Sequence, residues 1–166
     1  QPAVKTSQGL PAGTNTTLYL GYADLNRDGK VDLLLASSAA YSLSVLTGNG
    51  DGTFQPRITN PTGTSPHWVI CDDLNGDGYI DAVTANYWSN DVSVLLGMGD
   101  GTLKPAVNYA VGVNPPGLVI SDVDRDGGLA REAVLEDADV GGRAADVDDG
   151  AVALAGEEGR PAHRVG

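Results

Sequence analysis

The sequence contains the run Asp24-Leu25-Asn26-Arg27-Asp28-Gly29-Lys30-Val31-Asp32, and this stretch decides the fold because it recurs. The second copy is Asp73-Leu74-Asn75-Gly76-Asp77-Gly78-Tyr79-Ile80-Asp81, and a shortened third copy is Asp122-Val123-Asp124-Arg125-Asp126-Gly127-Gly128. The copies start at residues 24, 73 and 122, which are 49 residues apart. A fixed interval of this length is typical of repeat architectures in which each copy is one supersecondary unit.

A second landmark keeps the same interval. It is the run Gly48-Asn49-Gly50-Asp51-Gly52-Thr53-Phe54, which recurs as Gly97-Met98-Gly99-Asp100-Gly101-Thr102-Leu103. Because glycine readily adopts the positive φ angles of tight hairpins, each run is predicted to join two strands. Two unrelated landmarks with one spacing indicate a true duplication.

The residues between these landmarks show the patterns of short strands. In the first copy an apolar run covers 31–36, an alternating segment covers 42–45, and a further strand is predicted near 54–59, with equivalents 49 residues later. Alternation with a period of two is typical of a half-buried strand. With the strand before each acidic loop this makes four strands per repeat, the size of one propeller blade. We therefore predict an all-β fold, a partial β-propeller of about two and a half four-stranded antiparallel blades.

Composition and charge restrict the function. The formal net charge of −12 argues against nucleic-acid binding, which requires clustered Lys and Arg. Residues 1–128 contain 13 Asp and no Glu, and nine of these Asp lie in the three acidic loops, which favours a cation site. No apolar run approaches the roughly 18 residues of a membrane span, and no signal peptide is visible.

The spacing of the acidic residues suits a hard cation. Ca²⁺ takes roughly six to eight oxygen ligands, and side chains at loop positions one, three and five can converge if the backbone curls. Glycine at position six permits that curl, position seven offers its carbonyl, and the Asp at position nine closes the coordination sphere. The alternatives are a plain turn rich in Asp and Asn and Mg²⁺, which resists an all-protein cage. An EF-hand requires Glu at position twelve, where Leu35 and Thr84 stand, and a dockerin module would continue into a helix.

These motifs resemble the FG-GAP/VCBS repeat family, whose repeats are the blades of integrin-α-like β-propellers. The resemblance rests on the two complete acidic loops, the two glycine turns and the Asn114-Pro115 turn, and it covers residues 1–128. It implies structural Ca²⁺ bound in the blade loops. The implied first site comprises Asp24, Asn26, Asp28, Asp32 and the carbonyl of Lys30. The implied second site comprises Asp73, Asn75, Asp77, Asp81 and the carbonyl of Tyr79.

The third loop departs from the pattern. It offers Asp122, Asp124, Asp126 and Gly128, but Ala130 stands where the closing Asp belongs, so this calcium site is predicted to be incomplete. A closed propeller of this family has about seven blades, whereas this chain supplies fewer than three. We therefore expect a fragment, or a subunit that needs further blades or self-assembly.

The last 38 residues, 129–166, form a second segment of different composition. They contain no Ser, Thr, Asn, Ile or aromatic residue, and no strand is expected directly after the third loop. One hypothesis is a reading-frame shift near Gly128. The other is a genuine acidic tail, either helical or disordered. The chain is thus divided into repeats at 1–128 and a tail at 129–166.

No enzymatic function is predicted. Residues 1–128 hold one histidine, His67, and the unrepeated acids are only Asp72 and Asp91. We interpret His67 and Cys71 as structural. The predicted function is a calcium-binding module for protein interaction or cell adhesion. An extracellular or cell-surface location is expected, because extracellular modules bind Ca²⁺ with dissociation constants of roughly 0.1–1 mM, which is too weak for the sites to be filled in the cytosol.

Two alternatives remain for the function. Carbohydrate binding is suggested by Tyr87 and Trp88 in the run Asn86-Tyr87-Trp88-Ser89-Asn90-Asp91 at a hairpin tip, since adjacent aromatic rings can stack on a sugar. The competing interpretation, packing of Trp88 between blades, is favoured. The second alternative is a non-catalytic accessory module of a secreted enzyme. The partner is then a protein or a glycan at a cell surface.

Overall fold

The computed structural model describes residues 18–121, 132–135, 144–148 and 151–154, with side chains described for residues 19–118. The first four strands form one antiparallel sheet in chain order, which we call the first blade. Its strands are β1 (Leu18–Ala23), β2 (Asp32–Ser37), β3 (Ser42–Leu46) and β4 (Ile58–Pro61).

The next four strands repeat this arrangement as the second blade. They are β5 (Pro66–Asp72), β6 (Asp81–Asn86), β7 (Asp91–Leu95) and β8 (Val107–Ala110). No helix occurs among the described residues, and none of them could therefore cross a membrane as a helix. The predicted all-β fold, an open partial propeller built of four-stranded antiparallel blades, is confirmed.

Apolar side chains between the blades form the core. Leu34, Leu43 and Val45 of the first blade belong to one buried cluster with Val69 and Leu95 of the second. The other face of the second blade carries a separate cluster, which reaches the next sheet: Leu74, Val83, Ala85, Val92, Val94 and Leu118. Because each fully buried Leu or Val contributes roughly 1.5–3 kcal/mol, stacking of one sheet on the next stabilises both blades.

The fourth strand of each blade starts later than the sequence predicts. After each glycine turn, Phe54 and Leu103 make only isolated bridges, to Gly48 and Gly97, and the strands β4 and β8 begin at residues 58 and 107. Pro56 and Pro105 explain the delay, because proline has no N–H to donate to a sheet.

A third four-stranded antiparallel sheet follows, with the order β12-β11-β10-β9. Its strands are β9 (Leu118–Ser121), β10 (Glu132–Leu135), β11 (Ala144–Asp148) and β12 (Ala151–Leu154). The expectation that no strand follows the third loop was therefore wrong, because β10 pairs with β9. The division at residue 128 and the frameshift hypothesis stay predictions.

Candidate functional site

Each complete acidic loop joins the first and second strands of its blade, at 24–31 and 73–80. Gly29 and Gly78 at position six have φ angles of 79° and 83°, so the predicted glycine-dependent curl is present. Position four is also left-handed, with φ of 59° at Arg27 and 73° at Gly76, which the sequence analysis did not anticipate.

The side chains of the first loop turn onto the amides of the loop itself. Asp24 accepts hydrogen bonds from the N–H groups of Asp28 at 3.0 Å and Gly29 at 2.9 Å. Asn26 Oδ1 accepts from the Asp28 N–H at 3.1 Å. Asp28 Oδ1 accepts from the Lys30 N–H at 2.9 Å, and Asp28 Oδ2 forms an ion pair with Lys30 Nζ at 3.0 Å. Hydrogen bonds from the Lys30 side chain and backbone hold the pKa of Asp28 below its usual value.

The second loop has the same residue types at positions one, three and five, and its hydrogen bonds are similar. Asp73 accepts from the N–H groups of Gly76 at 2.9 Å and Gly78 at 2.8 Å. Asn75 Oδ1 accepts from the Asp77 N–H at 3.0 Å, and Asp77 Oδ1 from the Tyr79 N–H at 2.8 Å. In both copies, therefore, the oxygens at positions one, three and five line the inside of the same backbone curl.

The Asp at position nine is buried and braces two segments of backbone. In the first blade Asp32 Oδ2 accepts from the Leu25 N–H at 2.9 Å, and Asp32 Oδ1 from the Gly48 N–H at 2.8 Å. Both Asp32 and its counterpart Asp81 have 0% exposure. The loop pattern does not predict this bracing role, although Gly48 recurs as Gly97 at the repeat interval.

Asp81 makes the equivalent pair of bonds in the second blade. It accepts from the Leu74 N–H at 3.1 Å and the Gly97 N–H at 2.7 Å. Burial, helped by the charges of Asp77 and Asp73, nevertheless raises the pKa of Asp81 to about 6 against the lowering effect of the two backbone hydrogen bonds. Negative charge at this position is therefore disfavoured as long as no cation balances it.

The acidic loops of the two blades also contact each other. The Arg27 guanidinium lies 5.6 Å from the centre of the Tyr79 ring, which is within the range of a cation–π interaction. A Cβ atom at Gly101 would stand 2.7 Å from Thr47 and 3.5 Å from Asn26, so the second glycine turn lies against the first blade. The sequence carries no signal for these contacts, since they join residues of different repeats.

Comparison with known proteins identifies the repeat. The model of the FG-GAP-like repeat family matches residues 24–84 and 73–129, which together cover more than half of the chain. The chain belongs to the FG-GAP-like repeat family. No curated protein matches the sequence.

Among the solved structures that are similar to this FG-GAP-like chain is the Photorhabdus luminescens Tc holotoxin pore. The two share 21% sequence identity with a TM-score of 0.49 over 74% of this chain. This chain spans only 6% of the length of that solved chain.

The donors of each FG-GAP loop fit calcium by their chemistry, because all are carboxylate, amide or backbone oxygens. Within residues 19–118, however, no three carboxylate, thiol or imidazole side chains stand close enough together to hold a metal ion. In this arrangement one carboxylate oxygen of Asp32 and one of Asp81 accept a hydrogen bond from the glycine turns. A carboxylate oxygen that accepts one hydrogen bond keeps a second lone pair, so the bracing role and a ligand role are compatible.

The remaining predicted site residues fall in two places. Asp122, Asp124, Asp126 and Gly128 of the third loop lie outside the described residues. Tyr87 and Trp88 lie in the turn between β6 and β7, and the Trp88 side chain is 67% exposed. The favoured interpretation of Trp88 as a residue packed between blades is therefore wrong for the described part of the chain.

Proposed function

We propose that this chain is a non-catalytic calcium-binding repeat module that acts outside the cell or at its surface. The observation that carries the proposal is the duplicated loop geometry, in which oxygens at positions one, three and five line the same curl in both blades. The two loops differ at positions four, seven and eight, so the shared arrangement of oxygens does not depend on the side chains at those positions.

The proposed ligands are those of the two complete loops. The first set is Asp24, Asn26, Asp28, Asp32 and the Lys30 carbonyl, and the second is Asp73, Asn75, Asp77, Asp81 and the Tyr79 carbonyl. A bound calcium ion supplies the positive charge that offsets repulsion between the carboxylates of one loop. The protein holds these oxygens on a backbone curl, and Asp32 and Asp81 tie that curl to the neighbouring glycine turn.

Contacts between the loops support a structural role for the cation. Arg27 of the first loop lies over Tyr79 of the second, and the Gly101 turn lies against Asn26. Fixing one loop therefore restrains the neighbouring blade as well. A module of this kind presents a stiff surface to a partner, which we propose to be a protein or glycan of the cell surface.

The non-catalytic proposal is supported by the structural partners of His67 and Asp91. His67 is held beside Ser65 at 3.2 Å and between two aromatic rings, and burial lowers its pKa. Asp91 Oδ1 accepts hydrogen bonds from Asn86 and Ser89. Both groups thus serve the structure of the second blade.

The proposal is tested by thermal unfolding in EDTA, in Ca²⁺ and in Mg²⁺, followed by far-UV circular dichroism. Free calcium at tenfold over the dissociation constant adds about 1.4 kcal/mol per site, which raises the midpoint by several degrees in a domain of this size. Calcium should raise the midpoint more than magnesium, and calorimetric titration should give two sites.

A matched pair of double variants separates the loops from general charge effects. Asp28→Asn with Asp77→Asn should abolish the calcium response. Asp51→Asn with Asp100→Asn removes the same charge from exposed glycine-turn positions of the same blades and should retain that response. A cooperative melt of the parent that ignores calcium, or equal responses in both double variants, contradicts the proposal.

A further inference from the structure

Five rings gather at the end of the blades opposite to the acidic loops. They come from the start of β1, the start of β5 and the turn after β6, and they are Tyr19, His67, Trp68, Tyr87 and Trp88. We call this set the aromatic row. Only its last two members were recognised from the sequence, because the others belong to different strands.

Each ring of the aromatic row contacts the next, in the spatial order Trp68, Tyr19, His67, Tyr87 and Trp88. His67 lies between Tyr19, with ring centres 5.3 Å apart, and Tyr87, with centres 5.0 Å apart and planes 24° from parallel. Trp88 meets Tyr87 edge-on at 5.2 Å, and Trp68 lies 6.3 Å from Tyr19 at the other end. The two indoles are the exposed ends, with 67% of Trp88 and 43% of Trp68 accessible to solvent.

A hydrogen-bond network fixes the turn that carries Trp88. Asp91 Oδ1 accepts from Asn86 Nδ2 at 2.6 Å and from Ser89 Oγ at 2.9 Å, and Ser89 Oγ accepts from the Thr64 N–H at 2.8 Å. The backbone N–H of Trp88 donates a hydrogen bond to the Thr64 carbonyl oxygen at 3.2 Å. Such preorganisation lowers the entropy lost when a ligand binds.

The equivalent turn of the first blade lacks both features. Ser37, Ala39 and Ser42 stand where the second blade has Asn86, Trp88 and Asp91. The network and the exposed indole therefore occur together in one blade, which is expected of a specific binding surface and not of a general requirement of the repeat.

The chemistry around the aromatic row restricts the ligand class. Among residues 19–118 the Lys and Arg side chains all belong to loops at the acidic-loop end of the blades: Arg27, Lys30, Arg57 and Lys104. A nucleotide or another anionic ligand would lack the cations that phosphate recognition needs. Neutral hydrogen-bonding groups do lie in the Trp88 turn, since Asn90 uses its carbonyl oxygen for the Asn114 N–H at 2.8 Å and its amide nitrogen has no partner among the described residues.

We propose that the aromatic row binds a neutral carbohydrate, with the face of a pyranose ring stacked on Trp88 and its hydroxyl groups bonded to the adjacent turn. A pyranose has an apolar face of C–H groups and a rim of hydroxyls, which matches an exposed ring beside amide and carboxylate groups. The site lies at the other end of the strands from the acidic loops, so it does not depend on direct coordination by calcium.

The test is a glycan array of neutral mono- and oligosaccharides probed with the full chain in calcium-containing buffer. The strongest sugar is then titrated while tryptophan fluorescence is followed, because Trp88 is itself part of the site. Trp88→Ala should weaken binding at least about tenfold, which is the order of loss when an aromatic ring that stacks on a nucleic-acid base is truncated. Trp88→Phe should recover part of the loss. Unchanged melting midpoints establish that the exposed substitutions leave the fold intact.

The matched control is Tyr41→Asn, which removes a 50% exposed aromatic ring from the equivalent turn of the first blade. This variant should bind the sugar as the parent does, and the signal should persist in EDTA as long as the chain stays folded. A folded parent with no signal for any neutral sugar overturns the proposal. Equal binding by parent and Trp88→Ala also overturns it, as does binding of a protein partner that no neutral sugar inhibits.

Discussion

Truncation of Asp32 to Ala distinguishes a structural brace from a pure calcium ligand. The two carboxylate oxygens of Asp32 accept hydrogen bonds from the Leu25 and Gly48 N–H groups in a buried environment. Asp32→Ala removes both acceptors at once and leaves no side chain that could replace them. Because these bonds form within the protein, their loss should destabilise the chain whether or not calcium is present.

The size of the effect follows from the two orphaned donors. Each buried N–H group left without a partner costs about 1–3 kcal/mol, so the two together cost about 2–6 kcal/mol. A single domain has a typical stability of about 5–15 kcal/mol. Asp32→Ala is therefore expected to shift the unfolding midpoint strongly.

The assay is urea unfolding at pH 7 in EDTA, with far-UV circular dichroism as the signal and the free energy taken from the midpoint and slope. The control is Asp51→Ala, since exposed Asp51 accepts hydrogen bonds from the backbone N–H and the hydroxyl of Thr53 within its own turn. This control should cost less than about 1 kcal/mol. If Asp32→Ala in EDTA costs no more than the control and only the calcium response is lost, the bracing argument is wrong.

Three further predictions follow from single groups of the second blade. Gly97→Ala should lower the free energy of unfolding by about 3 kcal/mol or more, because its Cβ would stand 2.2 Å from the Ile80 carbonyl oxygen. The control Gly78→Ala has open space around its Cβ at φ 83° and should cost roughly 1–2 kcal/mol. Equal losses of stability in urea unfolding would contradict the clash at Gly97. Burial raises the pKa of Cys71 to about 12, so the native thiol should react with a disulfide reagent at pH 8 at least about a hundredfold more slowly than the unfolded thiol. Comparable rates would contradict the raised pKa. Burial raises the pKa of Asp81 to about 6. In EDTA, therefore, the free energy of unfolding should decrease by up to about 3 kcal/mol as the pH rises from about 4 to 6.5. Asp81→Asn should flatten that profile, and a rise in stability over this window would contradict the shift.

The repeat and its strands could be predicted from the sequence because they depend on local patterns. The 49-residue interval, the alternating segments and the glycine turns describe each blade without reference to its neighbour. Gly50, Gly52, Gly99 and Gly101 all have positive φ angles, between 72° and 89°, as the turn prediction requires. The predicted starts of β4 and β8 are too early, because Pro56 and Pro105 have no N–H group to donate to the sheet.

Side-chain contacts between residues that are distant in the chain could not be predicted from the sequence. The nine-position spacing identifies Asp32 as an acidic residue of the loop, but it does not reveal that the carboxylate reaches Gly48, sixteen residues away. For the same reason the aromatic row was only half recognised. Tyr87 and Trp88 are adjacent in the chain, whereas His67 joins them through the pairing of β5 with β6 and Tyr19 through the stacking of the two blades.

The brace explains why the two sequence landmarks keep one spacing. A Cβ atom at Gly48 would stand 2.2 Å from the carbonyl oxygen of Val31, at the end of the acidic loop. Only a residue without a side chain therefore lets the glycine turn come this close to the acidic loop. Asp32 then holds the glycine turn against the acidic loop, because its carboxylate accepts a hydrogen bond from the Gly48 N–H. The acidic loop and the glycine turn are consequently one structural unit, and an insertion between them would have to keep both contacts. If calcium binds as proposed, its effect should therefore reach the turn between β3 and β4 through Asp32, and not remain confined to the loop that coordinates it.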